Sequence, residues 1–537
     1  MRASANAVEL ELFRHLFVSI AEEMGVVLRR TSYSANIKER RDYSCAVYDA
    51  QGETVAMGDH MPVHLGAMPL SVRAAMDAFT LGPGDIALLN DPFRGGTHLP
   101  DLTVVAPVFI DDSSRPSFYL ANRAHHSDVG GMSPGSMPLA REIYQEGIRI
   151  PPILIQRAGK MDRPLLDLIL ANVRTPVERE GDLRAQLMSL RRGEARLHEL
   201  VAKYGHARVR SNMRDLKNYS ERMMRAAIRE LPPGIYQFED CLDNDGITAE
   251  PVRIRVKITI AKYSATVDFT GSDPQALGSV NANYAVSIAA TMYVFRCLIR
   301  EEVPFTAGSL RPIHVIAPEG TVVNARLPAA MAAGNVETSQ RITDVVLGAL
   351  AKAAPDRIPA ASSGTMNNLS FGGLDQTGKA FAYYETIAGG MGASLAGEGY
   401  SATHTHMTNS WNTPIEAFEH QYPLRVETYC IRPNSGGAGR HKGGDGIVRE
   451  YHFLTPAEVT ILSDRRERGP YGLSGGDSGE PGRNSLLRAG KTISIPAKAR
   501  FEVRADDCVR IETPGGGGFG SVSKPRRARP VRRRSAD

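Results

Sequence analysis

The stretch from Asn90 to Gly131 constrains this chain more tightly than any other. Two strand-like runs, Leu102–Ile110 and Ser117–Ala121, flank the polar turn Asp111–Pro116, which predicts a hairpin. A hairpin returns the chain on itself. It would bring His98-x-x-Asp101, at its start, against His125-His126-Ser127-Asp128, at its end. Imidazole and carboxylate side chains gathered in this way suit a divalent-metal site. Gly95-Gly96 just before His98 would let the backbone bend closely around an ion. Adjacent side chains of an extended segment point to opposite sides, so one of His125 and His126 should face away and support the other by hydrogen bonding. A donor set of oxygen and nitrogen without thiolate fits Mn, Zn or Fe. Such an ion lowers the pKa of bound water toward ~7 and polarises a carbonyl.

Composition narrows the classes of function. The chain has 537 residues, enough for several packed units, and its mean hydropathy is −0.24. No run reaches the ~18 apolar residues that a membrane-spanning helix needs. The nearest, Tyr284–Ile299, contains Arg296 and reads as a buried helix. Val8–Phe17 is interrupted by Glu9, Glu11 and Arg14, unlike a signal peptide. Five scattered cysteines without a C-x-x-C predict reduced thiols, and a cytoplasmic location is expected. The net charge of +5 is carried by the tail, because residues 524–537 hold seven Lys/Arg against one acid. The rest of the chain is close to neutral, which argues against nucleic-acid binding. The tail itself reads as a disordered end. There is no Walker A loop.

The pattern along the chain predicts an α+β fold: mixed helical and antiparallel-sheet N-terminal and middle regions, then a glycine-rich all-β C-terminal region. Leu10, Phe13, Phe17, Ile20 and Met24 recur at helical spacing, with Asn6 as the expected cap. Asp42 stands at the mouth of a strand, Tyr43–Tyr48, where an aspartate is ordinarily a cap or turn residue. His60 and His64 flank Pro62, which favours a loop over a shared helical face. Strands are expected at Tyr236–Leu242, Val252–Ile260 and Ser264–Phe269, and helices at 283–300 and 338–353. Ser362–Gly373 and Ala382–Gly392 read as loops. The divisions expected are 1–215, a metal-site α+β unit; 216–423, a second α+β unit; 424–520, a glycine-rich β unit; and 521–537, the basic tail.

Several motifs together resemble one family. They are NDPFRGGTHLPDLTVVAPVF, RAHHSDVGG, QEGIRIPP (145–152), NVRTPVEREGDLRAQ (172–186), GAGRHKGGDGIVRE and TPGGGGFG. Across roughly residues 30–520 the chain is similar to the hydantoinase B/oxoprolinase family. The resemblance implies a B subunit of an ATP-dependent cyclic amidase that works with a hydantoinase A-type partner in a hetero-oligomer. The partner would use ATP to phosphorylate a hydantoin, 5-oxoproline or related lactam, and metal-activated water on this chain would open the ring. It also implies ligands, namely Asp42, His98, Asp101 and His125, or His126 in its place. His98, Asp101 and His125 would be the catalytic set, with Asp128 a further ligand or supporting acid. His60 and His64 would line the pocket. Arg123 could hold a phosphate by a bidentate contact or form a simple ion pair. Two alternatives stand beside this: a subunit of an ATP-dependent ketone carboxylase of the acetone/acetophenone type, and a non-catalytic scaffold for the A subunit.

Overall fold

The computed structural model describes residues 7–58, 60–111 and 113–522. The expected Asn6 cap and the basic tail lie outside these residues. Helices and mainly antiparallel sheets alternate along the chain, as the α+β expectation requires.

The first sheet carries the hairpin. Its strands are β1 (Tyr43–Asp49), β2 (Thr54–Met57), β3 (Ile86–Leu89), β4 (Asp101–Val108), β5 (Phe118–His125), β6 (Ile153–Arg157) and β7 (Lys160–Met161), in the order β2-β1-β5-β4-β3-β6-β7. Its helices are α1 (Ala7–Thr31), α2 (Ala35–Lys38), α3 (Met68–Ala78), α4 (Arg163–Leu170), α5 (Pro176–Tyr204) and α6 (His206–Arg229). On one face Phe13, Phe17, Ile20 and Met24 of α1 join Val104, Leu120 and Ala124 of the sheet and Leu187 and Leu190 of α5 in one core. On the other face Met68, Val72 and Ala75 of α3 pack on Ala46, Tyr48, Val105 and Ala121. With both faces covered, β1 and β5 are buried along their whole length, which explains why neither alternates polar and apolar residues.

A second sheet comprises β8 (Gly234–Leu242), β9 (Val252–Ile260), β10 (Ala265–Asp268) and β11 (Ile313–Ile316), ordered β11-β10-β9-β8. Here β9 alternates, with Val252, Ile254, Val256, Ile258 and Ile260 turned into the core and Arg253, Arg255 and Lys257 to solvent. Its core includes α7 (Tyr284–Cys297) and α8 (Ser339–Ala353), the latter preceded by a π-helical turn, Gly334–Thr338.

The remaining strands form two more sheets. These are β12 (Asn368–Leu374), β13 (Ala380–Glu385) and, beyond a short helix α9 (Ile415–Gln421), β14 (Leu424–Arg432), β15 (Gly446–Phe453), β16 (Ala457–Leu462), β17 (Arg483–Arg488), β18 (Lys491–Ile495), β19 (Lys498–Val503) and β20 (Cys508–Glu512). Their orders are β13-β12-β16-β19 and β14-β15-β20-β17-β18. The segments read as loops at 362–373 and 382–392 therefore contain strand residues of a hairpin, β12–β13. Glycine here imitates a loop in sequence. A Cβ at Gly372 would stand 2.5 Å from Pro134, so glycine there serves close packing inside a strand. That sheet spans the division expected at 423/424, and α6 runs through the one expected at 215/216. Among the described residues no helix is long and apolar enough to cross a membrane.

Candidate metal centre

The β4–β5 register places Asp101 directly opposite His125 at the open end of the hairpin. The turn before β4 delivers His98, with the Asp101 N–H donating to the His98 carbonyl at 3.2 Å. Among the described residues, His98, Asp101 and His125 form the group of His, Cys, Asp and Glu able to hold one metal ion, with ligand atoms within 4.8 Å of one another. All three are buried. Asp101 Oδ1 lies 3.1 Å from His98 Nε2 and 3.3 Å from His125 Nδ1. Such spacings match the edges of a coordination shell built on metal–ligand bonds of about 2.1 Å.

Each group is anchored at one atom and open at another. Asp101 Oδ2 accepts from the Thr97 hydroxyl at 2.9 Å and from Asn335 Nδ2 at 3.4 Å, and His64 Nε2 lies 3.4 Å away. His98 Nδ1 lies 3.3 Å from the Ala332 carbonyl, the contact that assigns the proton to Nδ1 and leaves the Nε2 lone pair free. The atoms that remain without a hydrogen-bond partner are His98 Nε2, Asp101 Oδ1 and His125 Nε2. Buried polar atoms are rarely left so. Each of the three clustered residues holds one, which fits a site for a divalent cation.

Electrostatics agrees with the geometry. Burial opposes ionisation of Asp101, but His98, His125 and His64 outweigh it and hold the carboxyl well below the usual carboxylate range. Burial holds His125 below the ordinary imidazole value, against the opposing pull of Asp101 and Asp42, and so favours the neutral ring that binds metals. The ring of Tyr384 stacks on His125 at 4.5 Å and 15°.

The other sequence candidates divide. Asp42 is buried beside the cluster. Its carbonyl accepts the His125 N–H at 3.0 Å, but its carboxylate is not one of the three convergent groups. His64 joins through Asp101, its Nδ1 lying 2.9 Å from Ser44 Oγ. His126 faces the opposite side of the sheet, its Nε2 3.0 Å from Gln186 Oε1 on α5. His60 does not reach the cluster. It packs on Tyr43, with Nε2 3.7 Å from Glu22 on α1, because the 3-10 turn Pro62–His64 separates the two histidines. Asp128 is also placed elsewhere, accepting from Gly130 N, Gly135 N and Arg174 and so organising its own loop. Arg123 makes no ion pair among the described residues. It is fully buried, and donates to the hydroxyls of Ser71, Thr97 and Thr103. Thus it braces the residue that braces Asp101. Thr97 lies within the motif that carries His98 and Asp101 but was not singled out, and Asn335 and Tyr384 carried no motif; Asn335 arrives from the π-helical turn more than two hundred residues away in sequence.

The hydantoinase B/oxoprolinase family model matches residues 6–522. The chain belongs to the hydantoinase B/oxoprolinase family. This family member is 41% identical over 522 residues to an uncharacterized protein of Methanocaldococcus jannaschii, covering 96% of this chain and 91% of that one. It is 39% identical to 5-oxoprolinase 1 of Arabidopsis thaliana, over 96% of this chain but 42% of the relative, so it spans about two fifths of that enzyme. A putative D-/L-hydantoinase B subunit from a Pseudomonas species is 30% identical, with 94% and 88% covered. In structure the chain matches the ATP-dependent caprolactamase of Pseudomonas jessenii with a TM-score of 0.90 and 27% identity, over 96% of this chain and 92% of the other. Nucleotide-free acetone carboxylase shares the fold, with a TM-score of 0.86, 17% identity, and 96% and 76% covered.

Proposed function

We propose that this chain is the metal-bearing, ring-opening component of an ATP-dependent cyclic amidase acting on a hydantoin, 5-oxoproline or a related lactam. The observation that carries the reading is the buried cluster of His98, Asp101 and His125, whose ligand atoms lie within 4.8 Å of one another while one polar atom of each has no hydrogen-bond partner. The 5-oxoprolinase, hydantoinase and caprolactamase relatives support the reaction class. His98, Asp101 and His125 would hold Mn, Zn or Fe, with Asp42 as a further carboxylate whose charge acts on His125. When bound, the ion supplies Lewis acidity and a water acidified toward ~7.

The chain's own residues prepare that chemistry. Thr97, Asn335 and His64 fix one oxygen of Asp101, so the other keeps its direction. The Ala332 carbonyl fixes the tautomer of His98. Tyr384 covers His125 and excludes water, which strengthens each electrostatic interaction inside. An amide is a poor electrophile, and phosphate on its oxygen removes the resonance that protects it. A hydantoinase A-type partner would perform that ATP-dependent step. Two observations support such a division of labour. The Pseudomonas hydantoinase relative is one subunit of its enzyme, and the Arabidopsis 5-oxoprolinase extends far beyond the two fifths that this chain matches.

The test pairs elemental analysis with a reconstituted assay. Purified chain is expected to carry about one divalent ion, and with its partner to open a lactam only when ATP is present. Ring opening by this chain alone, without ATP, would contradict the mechanism. ATP turnover that required bicarbonate would point to the ketone-carboxylase alternative, and a chain without metal to the scaffold.

A further inference from the structure

A cavity of about 580 Å³ has His404, Asn409, Ser410, Trp411, Asn412 and Tyr429 in its wall. Ser410 leads inward. Its hydroxyl accepts from Arg40 Nη2 at 3.3 Å, Arg40 Nη1 donates to the Tyr384 carbonyl at 2.9 Å, and the Tyr384 ring stacks on His125. The cavity wall is therefore three contacts from the proposed metal ligand.

The cations around this cavity exceed their counterions. Arg40 is fully buried, makes no ion pair among the described residues, and its Nε has no hydrogen-bond partner. Arg449 is also fully buried and stacks 4.4 Å from the ring centre of Tyr429. Its one acidic neighbour is Glu385, 3.5 Å from Nε. That carboxylate is already used, accepting from Tyr451, from Tyr383 at 3.2 Å and from Asn412 at 2.8 Å. All three guanidinium nitrogens of Arg449 lack a hydrogen-bond partner, and so does the buried Nε2 of His404. Arg41 adds a third cation, 3.5 Å over the Trp411 ring. Burial, together with the charges of Arg40 and Arg449, pushes His404 down to about 3, so its ring is neutral at pH 7. Buried donors left unpaired are costly, and an arginine fork suits the planar oxygens of a carboxylate or phosphate.

We infer that this cavity is an oxyanion subsite, which takes a negatively charged group of the substrate and turns its ring toward His98, Asp101 and His125. The orientation toward the cluster rests on the ring-opening function proposed above. Two sources share this chemistry: a carboxylate carried by the substrate, and the phosphoryl group of the activated substrate.

Trp411 is the only tryptophan, and at 56% exposure it reports directly on this wall. The purified full chain would be titrated with 2-pyrrolidinone, with its 5-carboxylate (5-oxoproline) and with inorganic phosphate, following tryptophan emission without ATP, partner or turnover. The 5-carboxylate or phosphate is expected to give a saturable change, at least about tenfold tighter than the neutral lactam. His404→Ala and Arg449→Met are expected to weaken it at least about fivefold. His404→Ala alone decides the location if Arg449→Met fails to fold. Tighter binding of the 5-carboxylate assigns the subsite to the substrate's own carboxylate, and tighter binding of phosphate to the phosphoryl group. Binding of both anions no tighter than the neutral lactam, no saturable response to either anion, or unchanged affinity in His404→Ala would overturn the subsite. A chain found to lack metal would defeat the ring-opening reading and leave this titration unaffected, so the two failures are distinguishable.

Discussion

Asp101 and His125 face each other across the open end of one hairpin, Oδ1 to Nδ1 at 3.3 Å. Twenty-three residues separate them in sequence, yet antiparallel register makes them immediate neighbours. Residue 126, one step further, falls on the other face of the sheet.

The two adjacent histidines should therefore respond differently. His98→Ala, Asp101→Asn and His125→Ala are each expected to lower bound metal at least about tenfold after dialysis, measured by plasma mass spectrometry. His126→Ala should keep its metal and lose stability instead, because it breaks a buried contact with Gln186. Equal metal loss in the variants at 125 and 126 would refute the assignment.

His64 touches Asp101 rather than the proposed ion. His64→Ala is expected to reduce metal affinity about 10- to 100-fold without abolishing it. Ser44→Ala should give a smaller effect in the same direction, since Ser44 orients His64. Competition with a chelator of known affinity measures both.

Glu146 braces the same region, accepting from Met331 N at 2.7 Å and Ala332 N at 2.9 Å. Burial pushes its carboxyl up to about 8 despite these donors. A raised carboxyl stabilises the fold fully below its ordinary value of 4.5, and that stability is lost as pH rises through 8. Glu146→Gln removes the dependence. The variant should gain on the wild type as pH rises, reaching on the order of 3 kcal/mol at pH 8. Urea unfolding at pH 5 and pH 8 checks this; parallel pH profiles would contradict it.

Gly96 sits where a Cβ would stand 2.2 Å from the Asn90 carbonyl oxygen. Gly96→Ala is expected to cost about 1–3 kcal/mol and to displace the turn carrying His98, so metal content falls with stability. Gly397→Ala, with open space around it, is the control and should change neither. Thermal unfolding alongside elemental analysis distinguishes the two.

Much of this was legible from local pattern. The hairpin, the α1 stripe of Phe13, Phe17, Ile20 and Met24, and the alternation of β9 each follow from short-range periodicity. The β12–β13 hairpin was not legible, because glycine at 372 and 373 imitates a loop when its reason is a neighbour, Pro134 or Pro456, from elsewhere in the chain. That His60 turns to Tyr43 and Glu22, and Asp128 to its own loop, was not legible for a related reason. Motif proximity says nothing about which way a side chain turns.

The sequence by itself determined the hairpin, and hence that His98 and Asp101 meet the His125–His126 pair, while the register that selects His125 came from the structure. The hairpin depends on alternation and turn length, which act over a few residues. Only the tertiary structure decided which groups complete the site. Asn335 and the Ala332 carbonyl come from the approach to α8, Tyr384 from β13, and the buried charges of Arg40 and Arg449 from opposite ends of the chain. Their positions are set by how sheets and helices bury one another, and close packing between distant segments leaves no periodicity in sequence.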